Sequence, residues 1–135
     1  MKRTGYEHKN LSTLPWFHWG LNVEGAKEFF FVTGQCDYDK DSVTKHMNDP
    51  VGQARHILQQ MEETYAQAGY TRDNIIKINW CVTKDVTEVQ TTEILDVWAD
   101  FIKDNEVKPM GGTWKRIHGL IHPNMMVELE VVLAR

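Results

Sequence analysis

The chain has 135 residues, 41% of them apolar and 10% aromatic, which is enough to build one hydrophobic core without covalent staples. No stretch rich in Pro, Gly or Ser divides the sequence, so residues 1–135 are expected to form a single domain. Fifteen Lys and Arg against nineteen Asp and Glu give a formal net charge of -4, which disfavours nucleic acid as a partner because phosphate backbones attract clustered positive charge.

Local composition disfavours two further classes of protein. The apolar runs span only a few residues, far below the roughly 20 that a membrane-crossing helix needs, and Met1 to Arg3 lead into polar residues rather than a signal-peptide core. A cytosolic protein without a membrane partner is therefore expected. The two cysteines, Cys36 and Cys81, form no C-x-x-C motif, so neither a disulfide framework nor a zinc ribbon is indicated.

The first elements in chain order are two strands and a loop. A strand is expected near residues 19–24. Residues 28–35 combine aromatic and β-branched side chains and run into Gly34, which predicts a strand that ends in a turn. Residues 36–48 are mostly polar and show no period, so a solvated loop should follow.

A helix is predicted next, because Asp49 can cap its free N–H groups and Pro50 suits its first position. Gly69 provides the C-terminal stop. One stripe of this helix should be buried, since apolar residues recur at steps of three and four: Ala54, Ile57, Leu58, Met61, Tyr65 and Ala68.

The second half of the chain is predicted to contain three strands and another helix. Residues 75–83 alternate in polarity, as in a strand with unlike faces, and one face consists of Ile76, Ile78, Trp80 and Val82. A helical period follows at Val89, Ile94, Val97, Trp98, Phe101 and Ile102. Residues 113–118 and 126–134 predict two strands joined by a turn around Pro123. This order describes an α+β sandwich with the helices on one face of the sheet.

Glu128 is the acid that most suggests chemistry. It lies in the last predicted strand between Val127 and Leu129, where a carboxylate would be partly desolvated and suited to proton transfer. The alternative is a structural role, on a solvated strand face or in an ion pair with Lys115 or Arg116. The sequence leaves both interpretations open.

Metal and thiol chemistry have less support. His118 and His122 have i,i+4 spacing, but Gly119 and Pro123 break any helix there and no third ligand is indicated, so no metal is expected. Cys36 follows the predicted turn and could be an exposed nucleophile. No partner histidine is assignable, however, and an unreactive small residue is the favoured interpretation.

An aromatic cluster precedes the first clear strand, in the order Trp16-Phe17-His18-Trp19. Its rings offer flat apolar area and donor N–H groups, which suits an organic-ligand pocket, while a core plug or a subunit contact is an equally good interpretation. Glycine-rich phosphate loops are absent from the sequence, which disfavours a nucleotide cofactor.

Five short segments carry a family resemblance, in matching order and spacing. Residues 31–35, Phe-Val-Thr-Gly-Gln, resemble a strand ending in Ser-Gly-Gln, and Gln53-Ala54 opens a helix that ends at Ala68-Gly69. Residues 75–77, Ile-Ile-Lys, resemble a Val-Val-Lys strand start, and residues 127–130, Val-Glu-Leu-Glu, followed by Ala134 resemble a closing Val-Glu-Ile-Glu and Ala. From about residue 15 onward the chain thus resembles the Rid family, the reactive-intermediate deaminases also called the YjgF family.

The resemblance implies a chorismate-mutase-like fold, a homotrimer and ligand clefts between subunits. It also implies hydrolysis of enamines or imines with release of ammonia, without metal or organic cofactor. In the family an arginine on the penultimate strand binds the substrate carboxylate, and the first glutamate of the closing motif positions the attacking water. Glu128 matches that glutamate.

The family arginine has no counterpart here. Its position falls on Thr113, which cannot form the bidentate, charge-assisted contact of a guanidinium. Lys115, two residues later on the same strand face, could supply a point charge instead. The other substrate contacts that the resemblance implies are Thr33, Thr87, Trp16 and Phe17.

The sequence therefore predicts a hydrolase of the Rid type, acting in catabolism on a substrate more apolar or aromatic than a simple 2-imino acid. Glu128 would hold and deprotonate water, Lys115 and Thr113 would contact the polar end of the substrate, and residues 16–19 would cover its flat face. Two alternatives stay open: a non-catalytic trimeric protein that binds a small ligand, and a hydrolase or isomerase of a ring-cleavage product.

Overall fold

A computed structural model describes residues 1–135 and contains six strands, two α-helices and a 3-10 turn at Arg72–Asn74. The strands are β1 (Lys2–Tyr6), β2 (Gly20–Glu24), β3 (Phe29–Phe31), β4 (Ile75–Thr83), β5 (Trp114–Ile117) and β6 (Val127–Ala134). The helices are α1 (Pro50–Ala66) and α2 (Glu88–Phe101). The predicted α+β class is confirmed, and β4, β5 and β6 begin and end within a residue of the predicted strands.

The strands form a four-stranded mixed sheet and a separate two-stranded ribbon. The order in the sheet is β3-β6-β4-β5, in which β6 runs antiparallel to both of its neighbours and β5 runs parallel to β4. The ribbon consists of β1 paired antiparallel with β2. It is fastened to the 3-10 turn because the Arg3 guanidinium donates to the Asp73 carboxylate at 2.8 Å.

Both helices begin with satisfied backbone N–H groups. In α1 the Asp49 carboxylate accepts from the Gly52 N–H at 2.9 Å, and Pro50 occupies the first turn, where no intrahelical N–H is required. In α2 the Thr87 hydroxyl accepts from the Gln90 N–H while the Gln90 side chain accepts from the Thr87 N–H. This reciprocal pair is a capping box, and it fixes the first residue of α2.

The hydrophobic core lies between the helices and one face of the four-stranded sheet. Burial alternates along β4 and β6, so one face of each strand points to the helices. The largest fully buried side chains include Trp98, Tyr65, Ile57, Met61, Ile78 and Leu129. The other face of the sheet carries half-buried and exposed side chains, among them Phe31, Lys115, Glu128 and Glu130, and is called the open face below.

Four predictions about the elements were wrong in detail. Ala68, predicted on the buried stripe of the first helix, is exposed because α1 ends at Ala66. The strand predicted over residues 28–35 is only three residues long, because its pairing with β6 is interrupted before a single bridge at Gln35. The start of β4 is irregular against β6, which turns Ile75 rather than Ile76 into the core. Val89 is 69% exposed, because it lies in the first turn of α2 on the side away from the sheet.

The predicted loop also differs in its surroundings. Residues 36–48 lack a helix or named strand, as predicted, but Cys36 and Asp37 at its start are buried rather than solvated. β1 was not predicted, because its residues show no hydrophobic alternation and its strand form depends on pairing with β2. Neither α-helix combines the length and the apolar character required to cross a bilayer.

Candidate functional site

Three polar side chains form a row across the open face of the sheet. The strand register places Lys115 of β5 opposite Cys81 of β4, and Cys81 opposite Glu128 of β6. Directly opposed residues on neighbouring strands point to the same side of a sheet. An amine, a thiol and a carboxylate therefore project side by side from the open face.

A cleft of about 200 Å³ surrounds this row. Its lining consists of Gly34, Asn79, Cys81, Lys115, Glu128, Leu129 and Glu130. This volume is smaller than the roughly 300–1,000 Å³ that ligand pockets commonly enclose. The structure thus brings together two of the predicted site residues, Glu128 and Lys115, and we call this place the Glu128 cleft.

The two carboxylate oxygens of Glu128 have different neighbours. Oε2 accepts a hydrogen bond from the Cys36 Sγ–H at 3.7 Å. Oε1 lies against Gly34, where an added Cβ would come within 3.2 Å of the Glu128 Cδ and closer still to Oε1. Gly34 is therefore required for the close approach of the loop after β3 to the carboxylate.

Glu128 is also the less engaged of the two acids at the cleft. Glu130 accepts a hydrogen bond from Asn79 Nδ2 at 2.7 Å, across the β4–β6 ladder. Glu128 accepts only from the Cys36 thiol, which is a weak donor. A water molecule or a polar substrate group can therefore reach Glu128 without displacing a nitrogen donor.

Both thiols near Glu128 are held in the protonated form. Burial and then the Glu128 charge raise the pKa of Cys36 to about 12. Burial also raises the pKa of Cys81, although the positive charge of Lys115 opposes this shift. Thiolate chemistry at neutral pH is disfavoured, so Cys36 acts as a hydrogen-bond donor, in agreement with the interpretation favoured from the sequence.

The two predicted threonines nearest to the cleft do not line it. Thr113 is exposed and precedes β5. Its backbone carbonyl, rather than its hydroxyl, accepts a hydrogen bond from Lys115 Nζ at 3.4 Å. Thr33 precedes Gly34 and borders a neighbouring groove together with Gln60 of α1. Both residues are therefore beside the Glu128 cleft rather than within it.

The remaining predicted contacts have structural roles in the single chain. Thr87 caps α2 through its hydroxyl. The carbonyl of Trp16 accepts from Trp98 Nε1 at 2.7 Å, and its ring packs against the hydrophobic core. Phe17 lies over Gly111 and meets Trp19 edge-on, with ring centroids 5.2 Å apart. The structure does not bring these three to the Glu128 cleft.

A second polar cluster was missed by sequence reasoning. Asp37, His46 and His56 converge on one point, and each offers a ligand atom within 4.8 Å of the other two. Their separations of nine and ten residues match no metal-binding motif, so spacing offered no signal. The pair that does have a familiar spacing, His118 and His122, borders a different groove.

The fold and the Glu128 cleft define a class of small α+β proteins, and solved structures share that fold over the full length. The Rid family protein YyfB from Yersinia pestis superposes with a TM-score of 0.89 at 14% identity, covering 100% of both chains. YyfA from the same organism gives 0.66 at 21% identity, covering 99% of this chain and 100% of its own. TdcF from E. coli with bound serine gives 0.66 at 18% identity, covering 97% and 93%.

The family itself follows from the sequence match. The family model described as Endoribonuclease L-PSP matches residues 15–134. The chain therefore belongs to this family, which is the Rid or YjgF family that its motifs resemble.

Proposed function

We propose that the protein hydrolyses an enamine or imine to a carbonyl compound and ammonia, with Glu128 as the general base. The observation that carries this proposal is the position of Glu128, a half-buried carboxylate at a cleft, free of nitrogen donors and in one row with Lys115. The Rid resemblance supports it, because Glu128 matches the glutamate that positions water in relatives.

The proposed reaction consists of addition of water followed by loss of ammonia. An enamine first gains a proton at carbon and loses one from nitrogen, which gives the imine. Glu128 accepts a proton from water as the water oxygen bonds to the C=N carbon, and this proton passes to the substrate nitrogen. In the resulting carbinolamine the hydroxyl proton passes to the nitrogen by way of Glu128, the C–N bond breaks, ammonia leaves and the carbonyl forms. The step is a hydrolysis in which no atom is oxidised or reduced.

The substrate class follows from the cations that the cleft offers. Lys115 is the only cationic side chain in its lining, and an ammonium binds as a point charge rather than in the bidentate manner of a guanidinium. TdcF is a relative described with bound serine, whereas here Thr113 stands at the position of the family arginine. We propose that Lys115 contacts the polar end of a substrate that is more apolar than an imino acid.

Small-molecule chemistry accounts for the cleft better than RNA cleavage does. The family model carries the description of an endoribonuclease. The lining of the Glu128 cleft has two carboxylates and one amine, and the whole chain has a net charge of -4. A phosphate backbone would be repelled by this charge balance.

We also propose that the chain forms a homotrimer through the open face. Phe31 is 73% exposed and Phe29 is also exposed, and both project on the side of their β6 partners Val132 and Ala134. Covering such large apolar side chains favours association. Light scattering should show three chains per particle and a smaller particle for Phe31→Asp. A stable monomer of the unaltered chain would contradict the assembly and an intersubunit cleft.

The experiment that tests the base compares two neighbouring acids. Imines with a free N–H are generated in solution, by dehydration of serine or threonine and by oxidation of arylmethylamines, and are supplied to the protein while ammonia release is measured. Glu128→Gln should abolish turnover without changing the unfolding temperature, because the amide keeps the shape but cannot accept the proton. Glu130→Gln should retain most of the turnover, since Glu130 is already bonded to Asn79. Turnover that survives in Glu128→Gln rules out the base role.

The substrate preference is tested by restoring the missing guanidinium. Thr113→Arg should speed ammonia release from the imino acid of serine or threonine, because an arginine can bind the carboxylate with two hydrogen bonds. The unaltered chain should process these compounds slowly. If the unaltered chain releases ammonia from these imino acids as fast as a protein that carries the arginine, Lys115 suffices to bind the carboxylate. That result would remove the basis for proposing a divergent substrate.

A second candidate function is ligand binding without catalysis. The lack of a guanidinium at Thr113 favours it, because the cleft has lost part of the set on which the deaminase resemblance depends. An aromatic compound that raises the unfolding temperature while no imine yields ammonia would select this function.

A further inference from the structure

We propose that Asp37, His46 and His56 form a binding site for a divalent transition-metal ion, separate from the Glu128 cleft. Asp37 stands at the start of the loop 36–48, His46 lies near its end, and His56 belongs to α1. One ligand atom from each lies within 4.8 Å of the other two. None of these residues lines the Glu128 cleft.

The first argument is the unusual burial of Asp37. It is the only acidic residue in the buried part of the protein, with 0% exposure, and a buried carboxylate needs compensating partners. Oδ2 accepts from the backbone N–H of His46 at 2.6 Å. Oδ1 faces the Nδ1 atoms of His46 and His56, and no lysine or arginine pairs with it. The charge is thus offset by one backbone N–H and two imidazoles, which are common metal ligands.

The second argument is the direction of the two rings. Both histidines direct the same ring atom, Nδ1, at the same oxygen of Asp37, and the His46 contact measures 3.1 Å. Ligand atoms around a tetrahedral ion with bonds of about 2.0–2.2 Å lie about 3.3 Å apart. The His56 Nδ1 atom lies closer to Oδ1 than this, and the three ligand atoms lie within 4.8 Å of one another. A metal ion that replaces the Nδ1 protons would therefore require shifts of roughly 1 Å in these side chains.

The third argument is that other contacts hold the ligands in place. Gln53 is fully buried, and its Nε2 donates to the His46 carbonyl at 2.9 Å and to the Asn124 carbonyl at 3.0 Å. His56 follows Gln53 by three residues on α1, so both belong to one rigid turn. Ligands fixed by their own scaffold lose little entropy when they bind an ion.

The exposure of the three side chains defines the kind of site. Asp37 is closed off from solvent, while the His56 side chain is 24% and the His46 side chain 42% exposed. An ion can enter from the His46 side and keep water as a further ligand, as in zinc sites with three protein ligands. Two nitrogens and one oxygen suit Zn²⁺ or Co²⁺, whereas Ca²⁺ and Mg²⁺ prefer oxygen alone.

The test is a titration of the full-length protein after chelator treatment and removal of the chelator. Co²⁺ should bind at one ion per chain, show the visible d–d absorption bands of four- or five-coordinate Co²⁺, and be displaced by Zn²⁺. Either ion should raise the unfolding temperature, because it binds only the folded state. Failure of the unaltered protein to bind Co²⁺ and Zn²⁺ overturns the proposal.

Variants assign the binding to these residues. His46→Gln and His56→Gln should each weaken Co²⁺ binding by about 100-fold or more, since even outer partners of metal ligands contribute roughly 10- to 100-fold. The control is the double variant His118→Gln, His122→Gln, which should bind as the unaltered protein does. Loss in the control with retention in the other two would overturn the assignment. If His56→Gln does not fold, His46→Gln decides alone, because His46 is partly exposed.

Discussion

The two faces of β4 and β6 differ in what they do for the protein. On the covered face, Trp80 and Leu129 are almost fully buried and pack below the helices. On the open face, Cys81 and Glu128 hold polar groups at a cleft, each only one residue away along the same strand. Because neighbouring residues of a strand lie on opposite faces, core residues and residues of the proposed site alternate along β4 and β6. Substitutions on the two faces should therefore have different consequences.

The largest effect is expected for Trp98→Ala, at a residue of α2 that packs against the covered face. Trp98 is fully buried, meets Trp80 edge-on at 5.5 Å, and donates from Nε1 to the Trp16 carbonyl. Its removal should lower the free energy of unfolding by about 3–5 kcal/mol in denaturant titrations. Val89→Ala on the exposed side of the same helix is the control and should stay within about 0.5 kcal/mol. If Trp98→Ala and Val89→Ala lower the free energy of unfolding equally, burial of Trp98 does not contribute to the stability of the core as expected.

An intermediate effect is expected on the open face, for Gly34→Ala. The new methyl group would press on the Glu128 carboxylate, which is the end of a flexible side chain and can move aside. The loss of unfolding free energy should therefore lie near the lower end of the roughly 1–3 kcal/mol that overpacking costs in a core. Ammonia release, if the proposed function holds, should fall further because Glu128 is displaced. Gly119→Ala is the matched control, since a Cβ there meets nothing within 4 Å. Similar unfolding temperatures for both variants would contradict this expected loss of stability.

The smallest effect at neutral pH is expected for Cys36→Ala, and the difference in stability between the two proteins should shift in favour of the variant in alkali. The pKa of Cys36 is raised from 9.0 to about 12, so the fold favours the protonated thiol. This contribution is fully present below pH 9 and is lost as the pH rises toward 12. Burial also raises the pKa of Tyr65, which acts in the same direction in both proteins.

The measurement for this third prediction is the unfolding temperature as a function of pH. From pH 9 upward the unaltered protein should lose stability more steeply than Cys36→Ala. The reason is that the Cys36 thiol ionises in the unfolded chain at a lower pH than in the folded protein, and the variant has no thiol at this position. Parallel curves would show that the Glu128 side of the sheet does not shield the Cys36 thiol.

Hydrophobic periodicity predicted the elements that bury a complete face. α1 was found from its apolar stripe and its Asp49 cap, and β6 from strict alternation. β1 has neither feature, since it becomes a strand by pairing with β2. The irregular start of β4 arises from its register against β6, and a single strand does not encode the register of its partner.

Only those site residues that alternation within a single strand or a family motif places on one face could be predicted from the sequence. Alternation and family motifs identified Glu128 and Lys115 on the open face. The hydrogen bond from Cys36 to Glu128 joins residues 92 positions apart, and the Asp37 cluster combines a loop with a helix, so neither has a local signature. For Trp16 the sequence allowed a core or a ligand role, and the choice depends on its contact with Trp98.

The position of β6 in the sheet has a consequence for how the chain is made. β6 is synthesised after β3, β4 and β5, yet it lies between β3 and β4 and pairs with both. Until it leaves the ribosome, β4 can pair only with β5 and β3 has no partner, so the four-stranded sheet cannot form. A nascent chain that ends before Val127 should therefore remain sensitive to protease, and the domain should acquire its fold only after Ala134 has emerged.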